Sequence, residues 1–148
     1  MQQQMNPAKS YLLKYRALLM RYEELTENIR TLEARATNTA AKLKAVNVQN
    51  GSVGDTVGDT AIAVADAENM LNETVRDIAV EMKGILRVIE TVPDEMQKTI
   101  LTKRYISGKS WPMICSEIGY EKTKVHELHG WALISVNRAL ESRKAYTY

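Results

Sequence analysis

Apolar residues recur on a four-three rhythm through the first part of the chain: Tyr11, Tyr15, Leu18, Tyr22, Leu25, Ile29, Leu32 and Ala36. A heptad stripe of this length predicts a long helix with a coiled-coil seam. Leu12, Leu13 and Leu19 widen the stripe toward bundle packing. Asn6-Pro7 supplies a start, because Asn can cap a helix and Pro suits its first turn. Thr37, Asn38 and Thr39 weaken the pattern, and the helix is expected to run on to Leu43 or Ala45. A second stripe follows at Val64, Leu71, Val75, Ile78, Met82, Ile85, Ile89 and Val92. It predicts a second long helix from Asp59 or Thr60 to about Val92. Between the two, Asn47, Asn50, Gly51, Gly54 and Gly58 predict a loop over residues 46–59. The expected unit, residues 1–92, is an antiparallel helical hairpin. Two helices make a thin core, so it is expected to oligomerise with other copies of the chain.

The rhythm breaks at Thr91-Val92-Pro93, since the residue before a proline avoids helical geometry. A domain boundary is expected there, with Pro93, Asp94 and Glu95 opening the next helix. Residues 93–148 then read as three shorter helices. The first carries Met96, Ile100, Leu101 and Tyr105 and stops at Ser107-Gly108. Ser110 caps the second, Trp111 to Ile118, which has Pro112 in its first turn and turns Ile114, Cys115 and Ile118 inward. Gly119 ends it, where a left-handed residue allows a tight turn. The third begins near Glu121 and carries Val125, Leu128, Ala132, Val136 and Leu140 on one face. A short helix, a glycine turn and a second helix is the helix-turn-helix layout.

No alternating run is long enough for a strand, so the fold class is all-α. The chain is 148 residues long, and its formal charge of +2 is too small to imply nucleic acid by itself. Its distribution says more. From residue 93 onward, nine Lys/Arg face six Asp/Glu, a net of +3; the rest holds eleven against twelve, a net of −1. The basic excess lies at the helix-turn-helix end. The single cysteine, Cys115, excludes an internal disulfide and a multi-cysteine zinc site. It reads as a small packing residue where two helices approach. The opening residues do not read as a signal peptide and no apolar run reaches transmembrane length. A cytoplasmic protein with no membrane partner is expected.

In a helix-turn-helix the start of the last helix enters the major groove. Lys122, Thr123, Lys124, His126 and Glu127 occupy it off the buried face, with His129 a further candidate. Lys122 and Lys124 suit phosphate or a guanine edge, Glu127 can accept from cytosine, and Thr123 can meet a thymine methyl or a phosphate. Lys109 and Ser110, at the start of the preceding helix, suit phosphate. Double-stranded DNA is the expected partner. The same positions on any solvated helix would also be Lys and Glu, so it is the surrounding turn pattern that carries this reading.

Enzyme signatures fail on spacing. His126-Glu127-Leu128-His129 lacks the second histidine at i+4 that a zinc protease helix needs, and no third ligand accompanies the pair. Gly108-Lys109-Ser110 lacks the earlier glycine of a phosphate-binding loop, where Lys103 stands, and follows a helix rather than a strand. The tandem Val53-Gly54-Asp55-Thr56 and Val57-Gly58-Asp59-Thr60 has neither phosphate-loop nor calcium-loop spacing, and reads as a turn with Asp59 or Thr60 capping a helix. Neither catalysis nor a cofactor or metal is expected.

Leu101, Arg104, Tyr105, Gly108 and Ser110, then Ile114, Cys115, Ile118, Gly119 and Tyr120, then Val125 through Trp131-Ala132-Leu133, resemble the fourth region of sigma-70-type factors. That region reads an upstream promoter box and also touches RNA polymerase. The resemblance covers the last third of the chain. It places Lys122, Thr123, His126 and Glu127 at base-reading positions and implies bacterial RNA polymerase as a further partner. Cys115 stands where that family usually has Ala, and Trp131 where it often has a basic residue. Thr123 replaces a carboxylate, so a different DNA sequence is expected. Taken whole, with Gly54-Asp55-Thr56-Val57-Gly58-Asp59 and Gly108-Lys109-Ser110-Trp111, the chain is similar to small phage-encoded late transcriptional regulators of the RinA/ArpU type. That similarity implies activation of phage packaging and structural genes in a bacterial host cell. Two other readings compete: a small terminase subunit, in which the DNA reader normally precedes the oligomerising helices, and a coiled-coil adaptor that binds polymerase.

Overall fold

The computed structural model describes residues 5–46 and 54–146, and all of its regular elements are helical. They are α1 (Pro7–Val46), α2 (Gly54–Glu90), α3 (Glu95–Leu101), α4 (Trp111–Ile118) and α5 (Lys122–Ala145). The first two pack as a hairpin and the shorter helices follow.

Helix α1 begins as its sequence predicts. The Asn6 side-chain oxygen accepts from the Ala8 amide at 3.0 Å, with Pro7 in the first turn. The hydroxyls of Thr26, Thr31 and Thr37 donate back to carbonyls four residues earlier, so these β-branched residues bend the pattern without ending the helix. The expected loop over residues 46–59 is corrected: α1 reaches Val46 and α2 starts at Gly54, ahead of Asp59 and Thr60. Residues 47–53 of that loop lie outside the described residues. A four-residue Val-Gly-Asp-Thr repeat is close to the helical period. Its glycines cost roughly 1 kcal/mol each, which a long cooperative helix absorbs.

The chain forms two compact units, Leu19–Asp77 and a second made of Met1–Leu18 with Ile78–Tyr148. In Leu19–Asp77 the seam is Leu25, Ile29 and Thr74, all buried. Val75, expected on the stripe, is 46% exposed, and Thr74 takes the inward place with its hydroxyl bonded to the Met70 carbonyl at 2.9 Å. The heptad phase is therefore 64, 67, 71, 74, 78, which a polar threonine hides.

The other unit is larger than residues 93–148. Ala8, Leu12 and Tyr15 of α1 are buried in it, as are Ile85, Val88, Ile89 and Val92. Gly84 of α2 faces α1 closely: a Cβ there would lie 3.3 Å from the Tyr11 hydroxyl. The chain leaves α2 where Thr91 and Val92 bond back to Val88 and Ile89. Asp94 then caps α3, its carboxylate accepting from the Gln97 amide at 2.8 Å. Pro93 precedes this cap rather than sitting in the first turn. Lys98 bridges Glu95 (3.0 Å) and Glu90 (3.6 Å), tying the end of α2 to α3.

Helix α3 continues into a π turn, Thr102–Ile106, where the Ser107 amide reaches the Thr102 carbonyl at 3.0 Å. The wider turn places Tyr105 in the core, where it is 1% exposed. Helix α3 packs chiefly on α5. Ile100, Ile114, Val125 and Leu128 form the centre between α3, α4 and α5, lined by Met96, Trp111, Cys115 and Ile118. Each such aliphatic side chain contributes about 1.5–3 kcal/mol through burial. Cys115 is a packing residue here, as expected.

Candidate nucleic-acid interface

The site is built on two left-handed glycines. Gly108 (φ 68°) reverses the chain after the π turn, and Gly119 (φ 73°) ends α4, its amide bonding the Cys115 carbonyl at 3.0 Å. Ser110, in extended geometry, caps α4 with its hydroxyl accepting from the Met113 amide at 3.4 Å, and Pro112 sits in the first turn. Gly119, Tyr120 and Glu121 link the 8-residue α4 to the 24-residue α5. Glu121 is the residue before α5, but its side chain makes no cap hydrogen bond.

Val125, Leu128, Ala132 and Val136 of α5 are buried as the spacing predicts. That leaves Lys122, Thr123, Lys124, His126 and Glu127 exposed on one stretch of the helix. Lys122 and Thr123 have no hydrogen bond or ion pair among the described residues. Lys124 and Glu127 face each other at 3.6 Å, and the Lys124 ammonium also lies 5.7 Å from the Trp131 ring. His126 rests on Trp111, ring centroids 4.8 Å apart. Beside it, Trp111, Pro112, Cys115, Tyr120, Glu121, Lys122 and His126 line a largely apolar cavity of about 490 Å³.

His129 is not part of this face. One helical turn after Val125, it shares the buried side of α5 and is 8% exposed. Its Nε2 lies 2.7 Å from the Tyr105 hydroxyl, and Trp111 meets its ring edge-on at 4.7 Å. Burial, helped by Lys9, His126 and Arg104, pushes its pKa down to about 4, so the imidazole is neutral. Burial likewise pushes the Tyr105 hydroxyl up to about 12.

Lys109 and Ser110 stand together before α4, yet Lys109 is already engaged. Its ammonium lies 2.6 Å from one Glu117 oxygen while Lys103 holds the other at 2.5 Å. The two lysines, Lys103 first, hold the Glu117 carboxyl below the usual carboxylate range. Arg104 stacks over Trp111 at 4.6 Å and donates to the Lys109 carbonyl at 3.0 Å. Lys103, Glu117 and the Arg104–Trp111 stack were not singled out from sequence spacing, because their partners meet only through the packing of the π turn on α4. The arginine and tryptophan do fall within the sigma-like motif. Among the described residues no three His, Cys, Asp or Glu side chains gather as a metal site would, and no helix is long and apolar enough to cross a membrane.

Chemically, this surface offers donors from Lys122, Lys124 and Arg104, a hydroxyl from Thr123, an acceptor from Glu127 and an imidazole from His126. That mixture suits base edges and phosphates in a groove. No protein-family model, curated protein or solved structure matches the chain.

Proposed function

We propose that this chain is a sequence-specific, double-stranded-DNA-binding transcription regulator that reads the major groove with the start of α5. The observation that carries the reading is the pair α4 and α5, joined through left-handed Gly119 over a shared core, with Lys122, Thr123, His126 and Glu127 outward at the entry to α5. Lys122 and Thr123, without partners among the described residues, are the leading base readers; Lys124 and Glu127 exchange each other for bases on binding. Ser110 and Lys109 contact the backbone. The resemblance to phage late regulators makes activation of packaging and structural genes, in the cytoplasm of a bacterial host, the specific form of this reading. Oligomerisation through the long helices is supported by Ile62, Met70 and Val75, apolar side chains of α2 that are each at least 45% exposed. A second copy is the proposed occupant, and two joined readers offset the mild charge of each by avidity.

The test is selection of duplexes by the purified chain from a random-sequence pool at moderate salt, followed by footprinting. A shared motif with a protected site is expected; enrichment of no motif defeats the reading. A second reading, an adaptor that binds RNA polymerase, is favoured by Trp131 and Ile134, which lie 50% and 51% exposed on α5. Retained pull-down of polymerase by a variant that has lost DNA binding supports that reading.

A further inference from the structure

Helix α1 sends one cation to the turn that leads into α4. The guanidinium of Arg16 lies against Gly108: a Cβ added there would stand 2.3 Å from Nη1, 2.5 Å from Cζ and 2.7 Å from Nη2. The distances place the glycine over the Nη1–Nη2 side of the guanidinium plane. Glycine suits 108 for its positive φ, and a Cβ there would also have to move the end of the Arg16 side chain. Among the described residues no carboxylate or carbonyl takes the guanidinium donors.

Lys103 and Lys109 share the single Glu117 carboxylate. Arg104 is turned to the Trp111 ring and the Lys109 carbonyl. Arg16, Lys103, Arg104 and Lys109 therefore stand about the segment Ser107–Ser110, where Glu117 pairs the two lysines and Glu90 and Glu95, on the far side of the cavity beside them, pair with Lys98. Lys9, two helical turns before Arg16, acts electrostatically on His129 and so adds to the same positive field. A guanidinium resting on this turn, with its donors unpaired among the described residues, is suited to phosphate oxygens.

We infer that Arg16 of α1 is a DNA-backbone contact: its guanidinium, seated on Gly108, donates to a phosphate flanking the site read by α5. The inference rests on the proposed DNA binding. It makes part of the helix expected only to hold the reader a part of the reading surface itself.

Two measurements on the full chain test it, using a duplex selected by the wild-type protein and an unrelated duplex of equal length. The first maps arginine modification by phenylglyoxal in the wild-type chain, with peptides resolved by mass. Arg16 is expected to react several-fold more slowly when the selected duplex is bound. The second compares salt dependence for Arg16→Gln and Arg16→Lys. Arg16→Gln is expected to weaken binding to both duplexes alike, roughly three- to tenfold, and to lower the slope of log affinity against log salt by about 0.9; Arg16→Lys should keep the slope. An unprotected Arg16 in a wild-type chain that does bind its selected duplex overturns the inference and leaves the functional reading standing. So does an unchanged slope in folded Arg16→Gln. A wild-type chain that binds no duplex overturns both.

Discussion

The hydroxyl of Tyr105, in the π turn, and Nε2 of His129, in α5, lie 2.7 Å apart in the core beneath the candidate interface. Both rings are buried and stack 20° from parallel. Each is the other's polar partner, so the pair fixes the register of the π turn against α5. Tyr105→Phe keeps the ring and removes the hydroxyl, leaving a buried imidazole nitrogen unpaired. A loss of about 1–3 kcal/mol is expected, read as a lower urea midpoint at pH 7.

The same pair sets a pH window. The His129 pKa is about 4 in the folded chain, against 6.5 when unfolded. Between these values the unfolded chain binds more protons, so stability is full above pH 6.5 and declines as pH falls toward 4. The loss is on the order of 2–3 kcal/mol. Tyr105 acts at the other end: with its pKa raised from 10.0 to about 12, its contribution is complete below pH 10 and is lost above it. Urea midpoints across pH should therefore show a plateau from about 6.5 to 10, and a midpoint that does not fall between pH 6.5 and 4 contradicts the buried neutral imidazole.

The two left-handed glycines should respond differently to alanine. A Cβ at Gly119 meets nothing within 4 Å, so Gly119→Ala carries only the backbone term, about 1–2 kcal/mol. Gly108→Ala carries the same term and must also displace the Arg16 guanidinium. Its Tm is expected to fall further than that of Gly119→Ala, and Arg16→Ala in the Gly108→Ala background should recover the difference.

Glu117 restrains two lysines, Lys103 and Lys109, beside the start of α4. Glu117→Gln frees Lys103 and Lys109 and removes one repelling charge. Affinity for any duplex should rise, roughly threefold at moderate salt, with a steeper salt dependence. Filter binding over a salt series checks it. Weaker binding by this variant would mean that the clasp orders the backbone contacts rather than competing with them.

Lys122→Ala removes an exposed donor that has no partner among the described residues. Discrimination between the selected site and its single-base variants should drop by about 1–3 kcal/mol at one position, with nonspecific affinity changed less. A uniform loss across all sites would move Lys122 to the backbone.

Local chemistry is what the sequence exposes best. Asn6, Ser110, Gly108 and Gly119 act through their own turns, so their roles as caps and left-handed residues are legible without knowing the fold. The inward set Val125, Leu128, Ala132 and Val136 follows from one helical period. What is hidden depends on partners distant in sequence. His129 looks like a surface residue because histidine is polar, and only the Tyr105 hydroxyl makes its burial acceptable. Thr74 displaces Val75 from the seam because helix phase, set over many turns, outweighs one hydrophobic preference. The start of α2 was obscured by glycines, whose helix penalty is small beside cooperativity over 37 residues. The place of Arg16 depends on α1 packing beside Gly108, a contact 92 residues apart in sequence that no local pattern encodes.

The Asn6 side-chain oxygen that caps α1 also accepts from the Asn137 side chain at 3.3 Å, a contact between residues 131 apart in sequence. Ala8, Leu12 and Tyr15 are buried in the same unit as Val125 and Val136. During synthesis these two groups emerge roughly five to twenty-five seconds apart. Until α5 has left the ribosome, Asn6 has no Asn137 partner, and the core of Ile100, Ile114, Val125 and Leu128 is incomplete. A chain cut short before α5 would therefore be a substrate for proteolysis, and under the proposed function it would also lack its base-reading helix, so that activity would require translation through α5.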